Sequence, residues 1–197
     1  SQVASSVRNL RFSSYHERLL ELDAVMAPFA GIETALWYET NAALVEKYRA
    51  QIPIRTGWDA EFWSPIQGAE HLATRENVGL VDWSGGMGQI EVSGSGATAF
   101  LNQLCTANVD RQPGSIIYTL WLNGRGRIKR DLTVVRWAKD RYWVLTGRSN
   151  LPAELIWMKN HAPDDGSVQI QDLSNEHVGI ALWGAKARQV LATVTHQ

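Results

Sequence analysis

The segment Tyr118-Thr-Leu-Trp-Leu-Asn-Gly-Arg-Gly-Arg-Ile-Lys-Arg-Asp131 sets a phenol and a carboxylate at the outer ends of two strand-like runs. Gly124 and Gly126 mark a hairpin tip between those runs. A two-residue loop, Gly124-Arg125, or a four-residue loop, Asn123 to Gly126, puts Tyr118 directly across from Asp131. Directly opposed residues project on one face with Cβ atoms ~5 Å apart, so the two groups would share one pocket or one patch of solvent. A three-residue loop puts them on opposite faces instead. Asp131 lies in an otherwise apolar strand stretch, Ile128-Lys-Arg-Asp-Leu-Thr-Val-Val. The competing reading is a solvated strand face with Lys129 and Thr133 beside it.

Other chemistry-bearing residues are less pointed. Arg125, Arg127, Lys129 and Arg130 form a basic cluster that suits a hydrated hairpin tip, or else an acidic ligand or partner. Val92-Ser-Gly-Ser-Gly superficially suggests a dinucleotide turn at Gly94 and Gly96, but the third glycine is missing. His16, His71, His161, His177 and His196 have no zinc-type spacing. Cys105 reads as a small buried side chain, since no basic neighbour marks it as a thiolate.

The elements that must position these residues follow from pattern and composition. The chain has 197 residues, 45% hydrophobic and 20% charged, with a net charge of −1, and this fits a protein that buries a core. No basic field is present to hold a polyanion, so a nucleic-acid partner is not expected. A single cysteine excludes an intrachain disulfide framework and fits a reducing, cytoplasmic compartment. No secretory h-region and no membrane-spanning run is visible. The nine tryptophans run along almost the whole chain. Large amphipathic rings suit junctions between packed layers, with a flat-ligand platform as the alternative.

Residues 1–63 read as a helical extension or linker region, with one helix from Ser13 or Ser14 to about Ala27 and another from Tyr38 to Gln51. From Ser64 on, strands at Gly79–Trp83, Gly88–Val92, Ser115–Asn123, Ile128–Trp137, Arg141–Thr146, Val168–Gln171 and Val178–Leu182 alternate with helices. Those helices start near Pro65, Gly96, Pro152 and Ala185. A meander with interleaved helices predicts an α+β fold with an antiparallel-rich sheet over residues 64–197.

Several ordered stretches carry a family resemblance. Arg75-Glu-Asn-Val-Gly-Leu-Val-Asp-Trp-Ser, Met87-Gly-Gln-Ile-Glu-Val-Ser-Gly, Ala99-Phe-Leu-Asn-Gln-Leu-Cys-Thr-Ala-Asn, Pro113-Gly-Ser-Ile-Ile-Tyr-Thr-Leu-Trp-Leu-Asn, Arg130-Asp-Leu-Thr-Val and Ile180-Ala-Leu-Trp-Gly-Ala-Lys-Ala resemble the glycine-cleavage T (aminomethyltransferase) family in the same order. Ser13-Ser-Tyr-His-Glu-Arg, Gly31, Trp37-Tyr-Glu and Trp63-Ser-Pro-Ile-Gln-Gly-Ala-Glu-His add a finer likeness. It is to the segment joining the flavin half of dimethylglycine and sarcosine dehydrogenases or oxidases to their folate half.

The resemblance implies the N-terminal part of the aminomethyltransferase folate-binding fold, with tetrahydrofolate as cofactor and no FAD in this chain. It implies transfer of a one-carbon unit from an amine-derived donor. Asp131 maps onto the family's catalytic carboxylate, and Met87 and Tyr118 onto its folate pocket. A carboxylate near the folate amines can orient them and stabilise a cationic intermediate. Three departures stand out: Arg130 occupies a position that more often holds an acid, no histidine precedes Met87, and Gly147 replaces a usual asparagine. The family's second half supplies a glutamate and an arginine to the ligand, so a second chain or a missing C-terminal half is an expected partner. The alternative is a non-catalytic binding or assembly module that keeps the fold. An incomplete fold is expected to leave apolar surface at Leu182, Trp183, Val190, Leu191 and Val194, either exposed or covered by a second chain or by further sequence.

Overall fold

A computed structural model describes residues 8–195; the reading of the extreme N-terminus and His196 lie outside these residues. Packing divides the chain into one unit of residues 1–85 with 178–197 and a second of residues 86–177.

In the first unit α1 (His16–Leu20) is short and leads into a hairpin of β1 (Ala24–Phe29) and β2 (Ile32–Tyr38). This corrects the helix expected through Ala27, and with it the reading of residues 1–63 as helical. Asp23 sits at φ 54, which ends the helix, and Pro28 has no N–H to continue one. Pro28 is tolerated because β1 is half of a two-stranded sheet. The second expected helix is reduced to a 3-10 turn at Glu39–Asn41 and α2 (Leu44–Tyr48). The helix α3 (Pro65–Glu76) forms as expected, its first turn capped by the Ser64 hydroxyl, which accepts from the Ile66 amide. Its Glu70 ties down the end of β2 by accepting from the Tyr38 amide and the Asn41 side chain. Then comes β3 (Gly79–Asp82), whose antiparallel partner is the much later β9 (Ile180–Trp183).

The second unit is a five-stranded antiparallel sheet. In chain order its elements are β4 (Met87–Ser93), α4 (Ala97–Leu104), β5 (Ile116–Leu122), β6 (Ile128–Ala138), β7 (Arg141–Gly147), α5 (Leu151–His161) and β8 (Gln169–Asp172). The spatial order is β5-β6-β7-β4-β8. Alternate residues Ile90, Val92, Trp121, Leu132, Val134, Tyr142 and Val144 point to one face and are buried against Phe100, Leu101 and Leu104 of α4 and Leu151 and Met158 of α5. Helices cover that face alone, which is why the strands read as alternating rather than uniformly apolar. At the centre the Trp121 indole donates to the Cys105 sulfur at 3.3 Å.

The turn from β4 into α4 needs glycine. Gly94 has φ +112, and a Cβ there would overlap the Ser167 carbonyl oxygen. The glycine motif at this point therefore serves close packing of the β4–α4 turn against the loop at Ser167.

In the first unit α6 (Ala187–Val194) follows β9, and none of its side chains is buried. Trp183, Val190, Leu191 and Val194 are exposed, as expected, while Leu182 is half-buried. Replacing Gly94 with alanine is predicted to cost roughly 3 kcal/mol of stability, from backbone strain and the lost close approach. Urea denaturation of the purified variant measures it.

Candidate functional site

The site is built on the face of the five-stranded sheet that no helix of that unit covers. Its geometry depends on the β5–β6 hairpin. The Asn123 amide donates to the Arg127 carbonyl and the Gly126 amide to the Asn123 carbonyl, closing a three-residue tip of Gly124, Arg125 and Gly126. Gly126 sits at φ +71, as the last residue of such a tip requires. The Asn123 side-chain oxygen caps the loop by accepting from the Arg125 and Arg127 amides.

That tip alone would separate Tyr118 from Asp131. The register, however, shifts once more between Trp121 and Leu122: Leu122 pairs with Ile128, whereas Trp121 pairs with Arg130. Lys129 is the extra residue of a β-bulge. The two one-residue slips cancel in parity. Tyr118 is directly opposite Thr133, and Asp131 is directly opposite Leu120. Direct opposition of Tyr118 and Asp131 is thus corrected to a diagonal relation on a shared face, a separation an aromatic side chain can reach across. The Tyr118 hydroxyl donates to Asp131 Oδ2 at 3.2 Å.

Both groups are well exposed, Tyr118 at 67%. The phenol is nonetheless pushed above its ordinary range, first by its hydrogen bond to Asp131 and then by the carboxylate's charge. Ionising the phenol would lose the donated bond and set two anions together.

The pairing carries the face across the sheet. Thr133 is opposite Leu145, and Leu145 is opposite Gln89. Met87, two residues before Gln89 on β4, is on the same side and pairs with Gly147. The structure therefore gathers Met87, Tyr118 and Asp131 on one face. Four side chains that did not stand out in the sequence join them: Gln89, Glu91, Trp137 and Trp143. Gln89 is buried, and its amide nitrogen has no hydrogen-bond partner among the described residues. Trp143 donates its indole N–H to Glu91 at 3.1 Å and stacks on Trp137, with ring centroids 4.4 Å apart and planes 16° off parallel. The in-phase spacing of Met87, Gln89 and Glu91 was the available signal for two of these residues. For the tryptophans, only strand pairing distinguishes a surface ring from a core one.

The other candidates separate from this face. Cys105 is buried, and burial pushes its thiol pKa up, so the thiol form dominates. Among the described residues no His, Cys, Asp and Glu cluster could hold a metal ion, and no helix is long and apolar enough to cross a membrane. A cavity of about 450 Å3 in the first unit is lined by Tyr15, Arg18, Tyr38 and Asp82 among others. There Asp82 is already engaged, by the Ser84 amide and hydroxyl in a local turn and by the distant Ser13 hydroxyl.

Comparison with known proteins gives consistent matches. Residues 15–197 match the family model described as the GCVT N-terminal domain. An aminomethyltransferase of Chloroherpeton thalassium is 33% identical over 187 residues, covering 94% of this chain and 44% of the relative. The aminomethyltransferase of Bacillus subtilis is 35% identical over 140 residues, covering 71% and 38%. The crystal structure of glycine cleavage system aminomethyltransferase T from Bartonella henselae aligns with a TM-score of 0.70 at 26% identity, covering 94% of this chain and 44% of that one. The chain spans less than half the length of the curated relatives it matches.

Replacing Asp131 with asparagine removes the anion but keeps the shape. The Tyr118 phenol is then predicted to titrate at lower pH, back in its ordinary range. NMR of tyrosine labelled at the ring Cζ, with Tyr118→Phe to assign the signal, measures this; an unmoved phenol would rule out the contact.

Proposed function

Because the chain belongs to the GCVT N-terminal domain family, we propose that the open sheet face binds tetrahydrofolate and that Asp131 serves one-carbon transfer to it. The observation that carries this reading is the convergence of Tyr118 and Asp131, in hydrogen-bond contact, with Met87 on one face. The residues suit the ligand. Gln89 offers a buried amide nitrogen without a partner among the described residues, able to pair with the polar edge of a heterocycle. It lies two strands from β6, roughly 10 Å away by ordinary strand spacing. The Trp137–Trp143 stack adds flat apolar area for ring contact.

When bound, tetrahydrofolate supplies two amine nitrogens that accept the carbon. With an iminium donor, the departing amine would take up the protons that the folate amines release. The Asp131 carboxylate stabilises positive charge on the reacting nitrogens, and Tyr118, as a neutral phenol, holds that carboxylate in place. The raised phenol pKa keeps Tyr118 a donor across the neutral range.

For the donor, the N-terminal likeness of Ser13–Arg18, Trp37–Glu39 and Trp63–His71 favours an N-methylamine such as dimethylglycine or sarcosine. Its oxidation would be supplied by a flavin-bearing segment or partner in a reducing, cytoplasmic compartment. A carrier-bound aminomethyl group, as in glycine cleavage, is the competing donor.

Titrating the chain with tetrahydrofolate while following tryptophan fluorescence is predicted to show saturable quenching. Adding formaldehyde should accelerate methylene-tetrahydrofolate formation above the uncatalysed rate, with Asp131→Ala lowering that rate about a hundredfold. Absence of both binding and acceleration would favour the non-catalytic assembly reading.

A further inference from the structure

The bulge that restores the shared face of Tyr118 and Asp131 is gripped from the opposite side of the sheet. Lys129, the inserted residue, has its ammonium 4.4 Å from the centre of the Trp157 ring. Arg130, the next residue, is in ion-pair contact with Glu154 through Nε. Glu154 and Trp157 are three residues apart on α5 and so lie on neighbouring turns of one helix face. Both residues of a bulge lean to the same side, so both reach the same helix.

The Glu154 side chain is 2% exposed, yet neither of its oxygens makes an aligned hydrogen bond with any described residue. Charge on charge holds this contact, and a buried carboxylate deprived of its cation is strongly disfavoured. The consequence for register is direct. Without the bulge, β6 would shift by one residue, and every side chain beyond Lys129 would exchange faces. Arg130 would turn to the open face and leave Glu154 without a cation. Asp131 would turn inward, to the side where Glu154 is buried, and two carboxylates would meet in a low-dielectric interior. Glu154 thus attracts the residue that belongs inside and repels the one that does not.

We propose that Glu154 and Trp157 of α5 clamp the β6 bulge and set the face on which Asp131 lies, Glu154 being a positioning residue that acts through Arg130. The clamp itself rests on the hairpin geometry; its consequence for transfer rests on the folate reading above.

The test uses the 197-residue chain and two independent readouts. The first is the titration of the Tyr118 phenol by ring-labelled NMR, which needs no ligand. The second is methylene transfer from formaldehyde to tetrahydrofolate, resolved into kcat and KM. Glu154→Gln and Arg130→Met are expected to return the phenol to its ordinary range. They should lower kcat about a hundredfold while changing KM less, as a misplaced catalytic group does. Arg130→Lys keeps the charge and is expected to preserve both readouts. Where Glu154→Gln fails to give a cooperative melt, Trp157→Leu tests the other arm of the clamp, with a smaller shift expected in the same direction. A phenol that stays raised in folded Glu154→Gln, Arg130→Met and Trp157→Leu overturns the clamp. A phenol that responds as described in a chain without transfer or folate binding sinks the folate reading and leaves the clamp standing.

Discussion

Side chains along a strand alternate between two faces, so the pairing of β5 with β6 leaves Asp131 only two places to be. One is the core, beneath α4 and α5; the other is the open face. The choice depends on a count of residues between Tyr118 and Asp131 that are not paired across the ladder. The tip takes three and the bulge one more, and together they leave both groups on the open side. The placement of the candidate carboxylate, the hydrogen bond it accepts from Tyr118 and the burial of Leu132 and Val134 all follow from that count.

The two faces of the sheet are built for different purposes. One is packed with Ile90, Val92, Trp121, Leu132, Val134, Tyr142 and Val144, with the Tyr142 hydroxyl meeting Thr98 at 2.7 Å and Glu154 in ion-pair contact with Arg130. The other carries a phenol, a carboxylate, an amide and a pair of stacked indoles in one array. On that face the Gln89 amide nitrogen is buried without a hydrogen-bond partner among the described residues. Each unpaired buried donor costs stability, and such costs persist where they serve recognition.

Membership of the GCVT N-terminal domain family is consistent with this division of labour. The family resemblance implies an acid just before the candidate carboxylate, where this chain has Arg130. In the folded chain that arginine faces away from the open side and meets Glu154 of α5. The substitution therefore adds no cation to the face with Asp131 and Tyr118. It belongs to the apparatus beneath that face.

The sequence by itself determined most of the second unit. Alternating apolar residues in Ile116–Leu122, Ile128–Ala138 and Arg141–Gly147 announce half-buried strands, and Ser64-Pro65 announces a helix start, because both signals are local. The ordered motifs likewise pointed to Met87, Tyr118 and Asp131. The helix expected through Ala27 does not form: the spacing of Leu19, Leu20 and Val25 competes with an unusual φ at Asp23, which the sequence does not display. Only the tertiary structure decided the hairpin register. Gly124 and Gly126 permit tips of two, three or four residues, and a bulge has no sequence signature of its own. What selects it is a contact distant in sequence, the reach of Lys129 and Arg130 to Trp157 and Glu154. Pairings across such separations depend on the packing of α5 against the sheet, which no local pattern of residues records.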